Sequence, residues 1–431
     1  YKILENAPTY EDDVDPLAVS PLRVQEDLED YFQHLVETVD FEAIYEHDPI
    51  YSEIPLDPVD EKVREFIIEL DERDLTQFDS DVIGRIYEGV IPAERRHDMG
   101  EYYTPPVICD LITEFSDDEP DDMVLDPACG SGRFLISALE TMRKKVQTDG
   151  GKYQQDLTSF NPTSDEDKDE NEDDALSETQ DSPTVSEENV VKSIPKSTEG
   201  GPSSNIYGVD KDFDMAKITK AYMAIAGDGS SQILCENTLD NPSSWESETR
   251  KLLTQGEELK KFDVILTNPP FGANIPIKSK SILENYDLGY KWNYIKKREQ
   301  WESTKQVLDG QAPQVLFIER CLDMLRPGGR MAIVLPDGIL GNQTNGHIRQ
   351  YIMERSHVVA VIDCPLETFL PSTSTKTSVL VLQKKGDEIQ PPESVFMAIA
   401  ENCGHDRRGN PIPQDDFPSI IEEYKQFKEE Q

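Results

Sequence analysis

Basic residues are scarce in this chain. Its 431 residues carry 42 Lys and Arg against 86 Asp and Glu, a formal net charge of −44. That balance argues against a protein whose whole surface binds nucleic acid, because phosphate contacts normally show as a basic surplus; a small basic patch stays compatible with it. Long apolar runs are lacking too. None approaches 18 residues, so no transmembrane helix and no membrane partner are expected. The six cysteines (Cys109, Cys129, Cys235, Cys321, Cys364, Cys403) include no CxxC pair, and the six histidines form no HxH or HxxxH. Cys403 and His405 alone do not make a zinc site, so no metal is expected, and the thiols read as buried and reduced in a cytoplasmic protein. The first residue is Tyr1 rather than Met, so the natural start is expected upstream and a leader cannot be judged.

What is present excludes global disorder, since 36% of the residues are hydrophobic and many cluster as Val, Ile and Leu. The acidic excess predicts adaptation to high salt, where hydrated carboxylates keep a protein dissolved and their repulsion is screened. The length allows two or three domains. Residues 1–95 read as an N-terminal helical domain behind a frayed acidic arm. Val63, Phe66, Ile67 and Leu70 follow helical spacing, as do Val82, Ile83, Ile86, Tyr87 and Val90 after the capping candidates Asp79 and Ser80.

Residues 96–385 read as a second domain, in which short apolar strands alternate with amphipathic helices. The strand candidates are Met123–Asp126, Ile206–Asp210, Gln232–Cys235, Phe262–Thr267, Arg330–Leu335, Val358–Ile362 and Ser378–Leu382. Leu135, Leu139, Met142 and Val146 form one helical stripe; Val315, Ile318, Leu322 and Leu325 form another. Seven strands with intervening helices predict a doubly wound, mostly parallel α/β sheet. Residues 151–204 interrupt it with 14 acids against 4 lysines and no periodicity, and are expected to be a disordered insertion on the edge opposite the strand carboxyl ends. Residues 386–431 read as an acidic, weakly patterned tail.

Two turns carry chemistry. Asp126-Pro127-Ala128-Cys129-Gly130-Ser131-Gly132 follows a strand and opens a helix. Glycines there let a ligand approach the backbone, and Asp126 suits a cationic group such as an amino-acid ammonium. Asp210 ends the next strand, where an acid accepts hydrogen bonds from ribose hydroxyls. Asn268-Pro269-Pro270-Phe271 follows the fourth strand. Prolines force an abrupt exit and leave the Pro269 carbonyl free to accept, while the Asn268 side-chain oxygen accepts a second bond. With Phe271 as a flat face, this suits a planar group bearing an exocyclic amine; a plain tight turn is the alternative at both places.

Together these two turns resemble the signature motifs of N6-adenine DNA methyltransferases. Gly100-Glu101-Tyr102-Tyr103-Thr104-Pro105 precedes them. Phe317-Ile318-Glu319 through Pro336-Asp337-Gly338 and the run from Ile348-Arg349 through Cys364-Pro365 to Lys376-Thr377-Ser378-Val379-Leu380 extend the likeness to the modification subunits of type I restriction-modification systems, over roughly residues 80–385. The resemblance implies a Rossmann-like fold and S-adenosylmethionine as cofactor. It implies Tyr103, Thr104 and Pro105 at the methionine end, Asp126, Pro127, Ala128, Gly130 and Gly132 around the amino acid, and Asp210 at the ribose. It also implies a cofactor contact at Asn237, which stands where the family usually has an Asp near the adenine of the cofactor. Catalysis is implied for Asn268, Pro269, Pro270 and Phe271, on an adenine extruded from double-stranded DNA. The expected partners are a specificity subunit, a restriction subunit as a further candidate, and a second copy of the chain within a hetero-oligomer.

One segment reverses the charge. Residues 275–298 hold Lys278, Lys280, Lys291, Lys296, Lys297 and Arg298 against Glu284 and Asp287, with Tyr290, Trp292 and Tyr294 between them. Basic residues interleaved with aromatics suit a displaced DNA strand, and a solvated surface loop is the alternative. A protein-glutamine or RNA-adenine methyltransferase stays open as a second function, and a non-catalytic DNA- or cofactor-binding subunit as a third.

Overall fold

A computed structural model of the chain describes residues 104–116, 119–148, 205–226, 231–271, 275–370 and 373–430. The expected helical domain (1–95), the acidic insertion and Tyr103 lie outside these residues. Within them, strands form where apolar residues run unbroken, the pattern of strands covered on both faces. These are β1 (Val124–Asp126), β2 (Ile206–Asp210), β3 (Gln232–Cys235), β4 (Phe262–Thr267), β5 (Leu325–Pro336), β6 (Ser356–Asp363) and β7 (Thr377–Lys384). They match the seven predicted strands apart from Met123 and the ends of the last three. An eighth, β8 (Phe396–Ile399), joins them in the order β8-β6-β7-β5-β4-β1-β2-β3. β7 runs antiparallel to both neighbours, and every other pairing is parallel. The strand order reverses at β1, so the crevice for a ligand lies at the carboxyl ends of β1 and its neighbours.

The flanking helices are α1 (Pro106–Ser116), α2 (Arg133–Thr148), α3 (Phe213–Ile225), α4 (Pro313–Met324), α5 (Gly346–Arg355) and α6 (Phe417–Glu429). α1, α2, α3 and α6 share one apolar core with Val264, Leu266 and Val334; α4 and α5 share the other with Ile265, Ile333 and Leu335. Successive strand residues thus feed opposite layers, as the two-residue period of a strand requires. Asn205 Nδ2 donates to the Asp121 carbonyl (3.2 Å) and Lys145 pairs with Glu119 (3.0 Å). Both flanks of the acidic insertion therefore meet the amino edge of the sheet, away from that crevice. No helix among the described residues is long and apolar enough to cross a membrane.

The reading of 386–431 as a weakly patterned tail is corrected here. This segment supplies β8, a hairpin of Cys403–His405 with Pro411–Asp415, and α6. Few apolar anchors do the work: Phe417, Ile420 and Tyr424 are buried on one stripe of α6, and acids cover its outer face. The Tyr424 ring stacks on Phe115 of α1 with centroids 3.8 Å apart. Phe417→Ala should therefore lower stability by about 3–5 kcal/mol, the usual result of truncating a buried aromatic. Urea melts check this, and a loss below about 1 kcal/mol would show α6 to be an appendage.

Candidate functional site

β1 ends in a turn whose conformation needs glycine. Gly130 (φ +52°) and Gly132 (φ +79°) both lie in the left-handed region that side chains rarely adopt. They serve different ends. A Cβ on Gly132 would stand 2.6 Å from Thr219 Cγ2 of α3, whereas one on Gly130 would meet nothing within 4 Å. Gly132 thus permits close helix packing, and Gly130 borders an open cradle.

Side chains fix this turn from both sides. Thr219 Oγ1 donates to the Gly130 carbonyl (2.5 Å) and Thr238 Oγ1 to the Pro127 carbonyl (2.8 Å). The Asp210 carboxylate, at the end of β2, accepts from the Gly130 N–H (2.9 Å) and the Asp212 N–H (2.9 Å). Asp210 therefore meets the glycine turn directly, and burial raises its pKa. Asn237 is half-buried and turned to local use: its Oδ1 accepts from the Leu239 N–H (3.3 Å) and its carbonyl from Trp245 Nε1 (3.1 Å). The neighbouring Thr238 is the residue that reaches the turn. Neither threonine stands out in the sequence, since nothing local marks a hydroxyl that bonds a carbonyl 89 or 111 residues away.

Asp126 is 1% exposed. Its Oδ1 accepts from the Ala128 N–H (3.1 Å), and its Oδ2 makes no close hydrogen bond among the described residues, with the Thr267 hydroxyl beside the carboxyl. Burial pushes the carboxyl up to about 7, against the opposing pull of the Ala128 N–H and the Thr267 hydroxyl.

β4 lies between β1 and β5, and its last pair is Thr267 with Ile333. The two prolines cannot continue the ladder, so Asn268 projects at the carboxyl edge. Its Nδ2 donates to Thr104 Oγ1 (3.1 Å), while its Oδ1 is buried without a partner among the described residues. The bond to Thr104 joins two motifs that stand 164 residues apart in the chain. Pro105 begins α1 by accepting from the Ile108 N–H (3.0 Å).

Buried side-chain oxygens without partners occur on Asp126, Thr267, Asn268, Asp363, Thr377 and Gln314. These residues stand at the ends of β1, β4 and β6, the start of antiparallel β7 and the first turn of α4. All belong to the carboxyl edge of the sheet. Buried polar groups are normally bonded, so several that lack a close partner among the described residues set this edge apart from the rest of the sheet.

Phe271 departs from expectation. It is 1% exposed and meets Phe369 edge-on (6.4 Å between centroids, 89°), inside the core that α1 covers. Its ring therefore presents no open face: an apolar core on that side of the sheet offers it better burial than the rim.

The basic segment folds as a hairpin of Tyr290–Ile295 with Gln300–Val307. Lys291, Lys296, Lys297 and Arg298 are exposed on it, and Lys278 and Lys280 are exposed just before it. Arg298 pairs with Glu302 (2.5 Å). The aromatics divide: Tyr290 donates to the Glu284 carbonyl (3.2 Å) and Trp292 to the Asp287 carbonyl (3.1 Å), while Tyr294 is 47% exposed. Two of the three thus bind the hairpin to its own base.

Comparison with known proteins gives consistent matches. The sequence model of the family described as N-6 DNA Methylase matches residues 78–163 and 182–431. The chain is 25% identical over 327 residues to the type I restriction enzyme EcoEI methylase subunit of Escherichia coli, covering 75% of this chain and 50% of that protein. It is 22% identical over 381 residues to the MpnII methylase subunit of Mycoplasma pneumoniae, covering 86% and 56%. It spans about half the length of the curated relatives it matches. The fold is shared with the type I restriction-modification system methyltransferase subunit from Streptococcus thermophilus (TM-score 0.59, 18% identity, 94% of this chain and 71% of that one).

Proposed function

The chain belongs to the N-6 DNA methylase family, and from that premise we propose that it transfers a methyl group from S-adenosylmethionine to N6 of adenine in DNA, as the modification subunit of a type I restriction-modification system. The observation that carries this reading is the buried Oδ1 of Asn268, which has no partner among the described residues and stands beside two prolines at the carboxyl edge, its amide held by Thr104. The relatives' description as type I methylase subunits supports the system assignment.

The residues present fit the cofactor. Asp126 offers a buried oxygen for an ammonium, Gly130 borders an open cradle, and Asp210 stands at the end of β2 for ribose hydroxyls. When bound, S-adenosylmethionine supplies an electrophilic methyl on a sulfonium sulfur. The adenine N6 lone pair is conjugated into its ring and is a poor nucleophile. Asn268 Oδ1 and the Pro269 carbonyl accept the two N6 hydrogens, favour a more tetrahedral nitrogen and aim its lone pair. Once that nitrogen is cationic, the surplus proton is lost to water, so no strong base is needed. Phe271 can stack on an extruded base only by turning out of its contact with Phe369. The basic hairpin is assigned to the DNA backbone, and the acidic remainder of the surface to solubility at high salt.

Duplex DNA, RNA and protein, each incubated with methyl-labelled S-adenosylmethionine and the chain with its specificity subunit, test the reading. Label is expected in N6-methyladenine of the DNA. Label confined to RNA or to glutamine amides would replace it with the alternative function.

A further inference from the structure

The hairpin forms a two-stranded sheet of its own, separate from the main one. Isolated two-stranded ribbons are marginal in water, so its direction depends on what holds it. Its base is held well. Glu319 of α4 accepts from the Asp287 and Leu288 N–H groups (2.7 and 2.8 Å), and Arg355 of α5 pairs with Asp287 (2.9 Å).

A second anchor lies at the far end. Gln350 of α5 accepts from the Trp301 N–H through Oε1 (2.6 Å) and donates to the Trp301 carbonyl through Nε2 (2.9 Å). Trp301 pairs with Tyr294, one position from the last pair, Ile295 with Gln300. The clamp thus sits directly beside the turn that carries Lys296, Lys297 and Arg298. The base contacts hold the root of the ribbon, and this clamp holds its tip. α5 is shaped for it, since a Cβ on Gly346 would come within 2.6 Å of Trp301 Nε1, and the Trp301 ring lies 5.5 Å from His347.

α5 also connects to the catalytic edge. Arg349 donates to the carbonyls of Ile339 (3.0 Å) and Asn342 (2.8 Å), in the segment that leaves the end of β5 beside β4. One helix therefore grips both the tip of the hairpin and the segment that follows β5, the strand beside β4.

We propose that Gln350 is a positioning residue, which sets the basic tip of the hairpin at the distance and angle from Asn268 that DNA requires. This rests on the reading of the hairpin as a DNA contact. Three variants of the full chain separate the two claims: Gln350→Ala, the double charge reversal Lys296→Glu/Lys297→Glu, and all three changes together. The probe is a mixed-sequence 30-base-pair duplex, with affinity followed by anisotropy at two salt concentrations. The charge reversal is expected to weaken binding on the order of tenfold or more and to flatten the salt dependence. Gln350→Ala should weaken binding about tenfold, raise the KM for DNA more than it lowers kcat, and leave cofactor binding unchanged. The triple variant should bind no more weakly than the charge reversal, because residues acting through one another are not additive.

Multiplied effects in the triple variant, or parental DNA affinity in Gln350→Ala, would overturn the positioning role. Parental affinity in the charge reversal would instead overturn the hairpin's contact with DNA. Gly346→Ala guards against a folding artefact: it displaces Trp301 without removing a hydrogen-bonding group and should reproduce the Gln350→Ala defect. Parental affinity there would count against the proposal.

Discussion

Asn268→Ala is expected to abolish measurable methyl transfer while cofactor binding persists. The side chain offers a buried oxygen at the end of β4 that has no partner among the described residues, on an amide positioned by a neighbouring hydroxyl. Deleting a single preorganised hydrogen-bonding group of this kind typically lowers kcat by roughly 10²–10³-fold. Here the loss should be larger, since the Pro269 carbonyl alone holds only one of the two amine hydrogens. Cofactor affinity should stay within a few-fold, because Asp126, Gly130 and Asp210 lie on the β1 and β2 side of the edge. Thr104→Val is the companion change. It keeps the shape of residue 104 but releases Asn268 Nδ2, so the amide can rotate away from its working orientation. A loss of about tenfold in kcat is expected there, smaller than for Asn268→Ala because the acceptor itself survives. Single-turnover assays at saturating DNA and cofactor decide both. Activity of Asn268→Ala within a few-fold of the parent would remove Asn268 from the chemistry.

How much of this could be read from the residues follows the range of the interactions. The strands were legible because a strand buried on both faces writes itself as an uninterrupted apolar run, as in Val264-Ile265-Leu266. Asp126, Gly130, Gly132 and Asn268 were legible because their backbone setting, a tight turn after a strand, is local. β8 and α6 were missed although Phe417, Ile420 and Tyr424 carry helical spacing. Three anchors among many acids make a weak pattern until Phe115 of α1 is known to face them. Thr104 was assigned to the cofactor on resemblance, yet its hydroxyl meets Asn268, a pairing only the tertiary fold creates. The same holds for Thr219, Thr238 and Gln350, whose partners are carbonyls and amides that every residue possesses. Phe271 is hidden for the opposite reason. An aromatic after a strand end looks available, and only the packed core shows that it is already spent on Phe369.

Asp126 sets the second large effect, on stability and on the pH dependence of cofactor binding. A carboxyl that titrates near 7 in the folded chain and near 3.8 when unfolded binds its proton more tightly in the native state. Below pH 3.8 it is protonated in both states and contributes nothing to the difference. As the pH rises toward 7 the unfolded chain ionises first, and stability falls. Above 7 the penalty is complete, on the order of 4 kcal/mol. Other buried acids shift in the same direction, including Glu319, held up near 7 by burial. The contribution of Asp126 is therefore read as a difference between parent and Asp126→Asn. Between pH 4 and pH 8 the parent should lose a few kcal/mol more than the variant in denaturant melts. A cationic ligand reverses the preference, because an ammonium beside Oδ2 stabilises the ionised form. Cofactor affinity should accordingly rise about tenfold per pH unit from roughly pH 5 to 7, then fall above about pH 8 as the ligand's own amine loses its charge. Asp126→Asn should abolish the rising limb and bind weakly throughout. Calorimetric titrations of cofactor across this range measure both limbs. A parent whose affinity is flat from pH 5 to 7 would dissociate Asp126 from the ammonium. A variant whose stability keeps the parent's pH slope would show that this carboxyl is ionised in the fold after all.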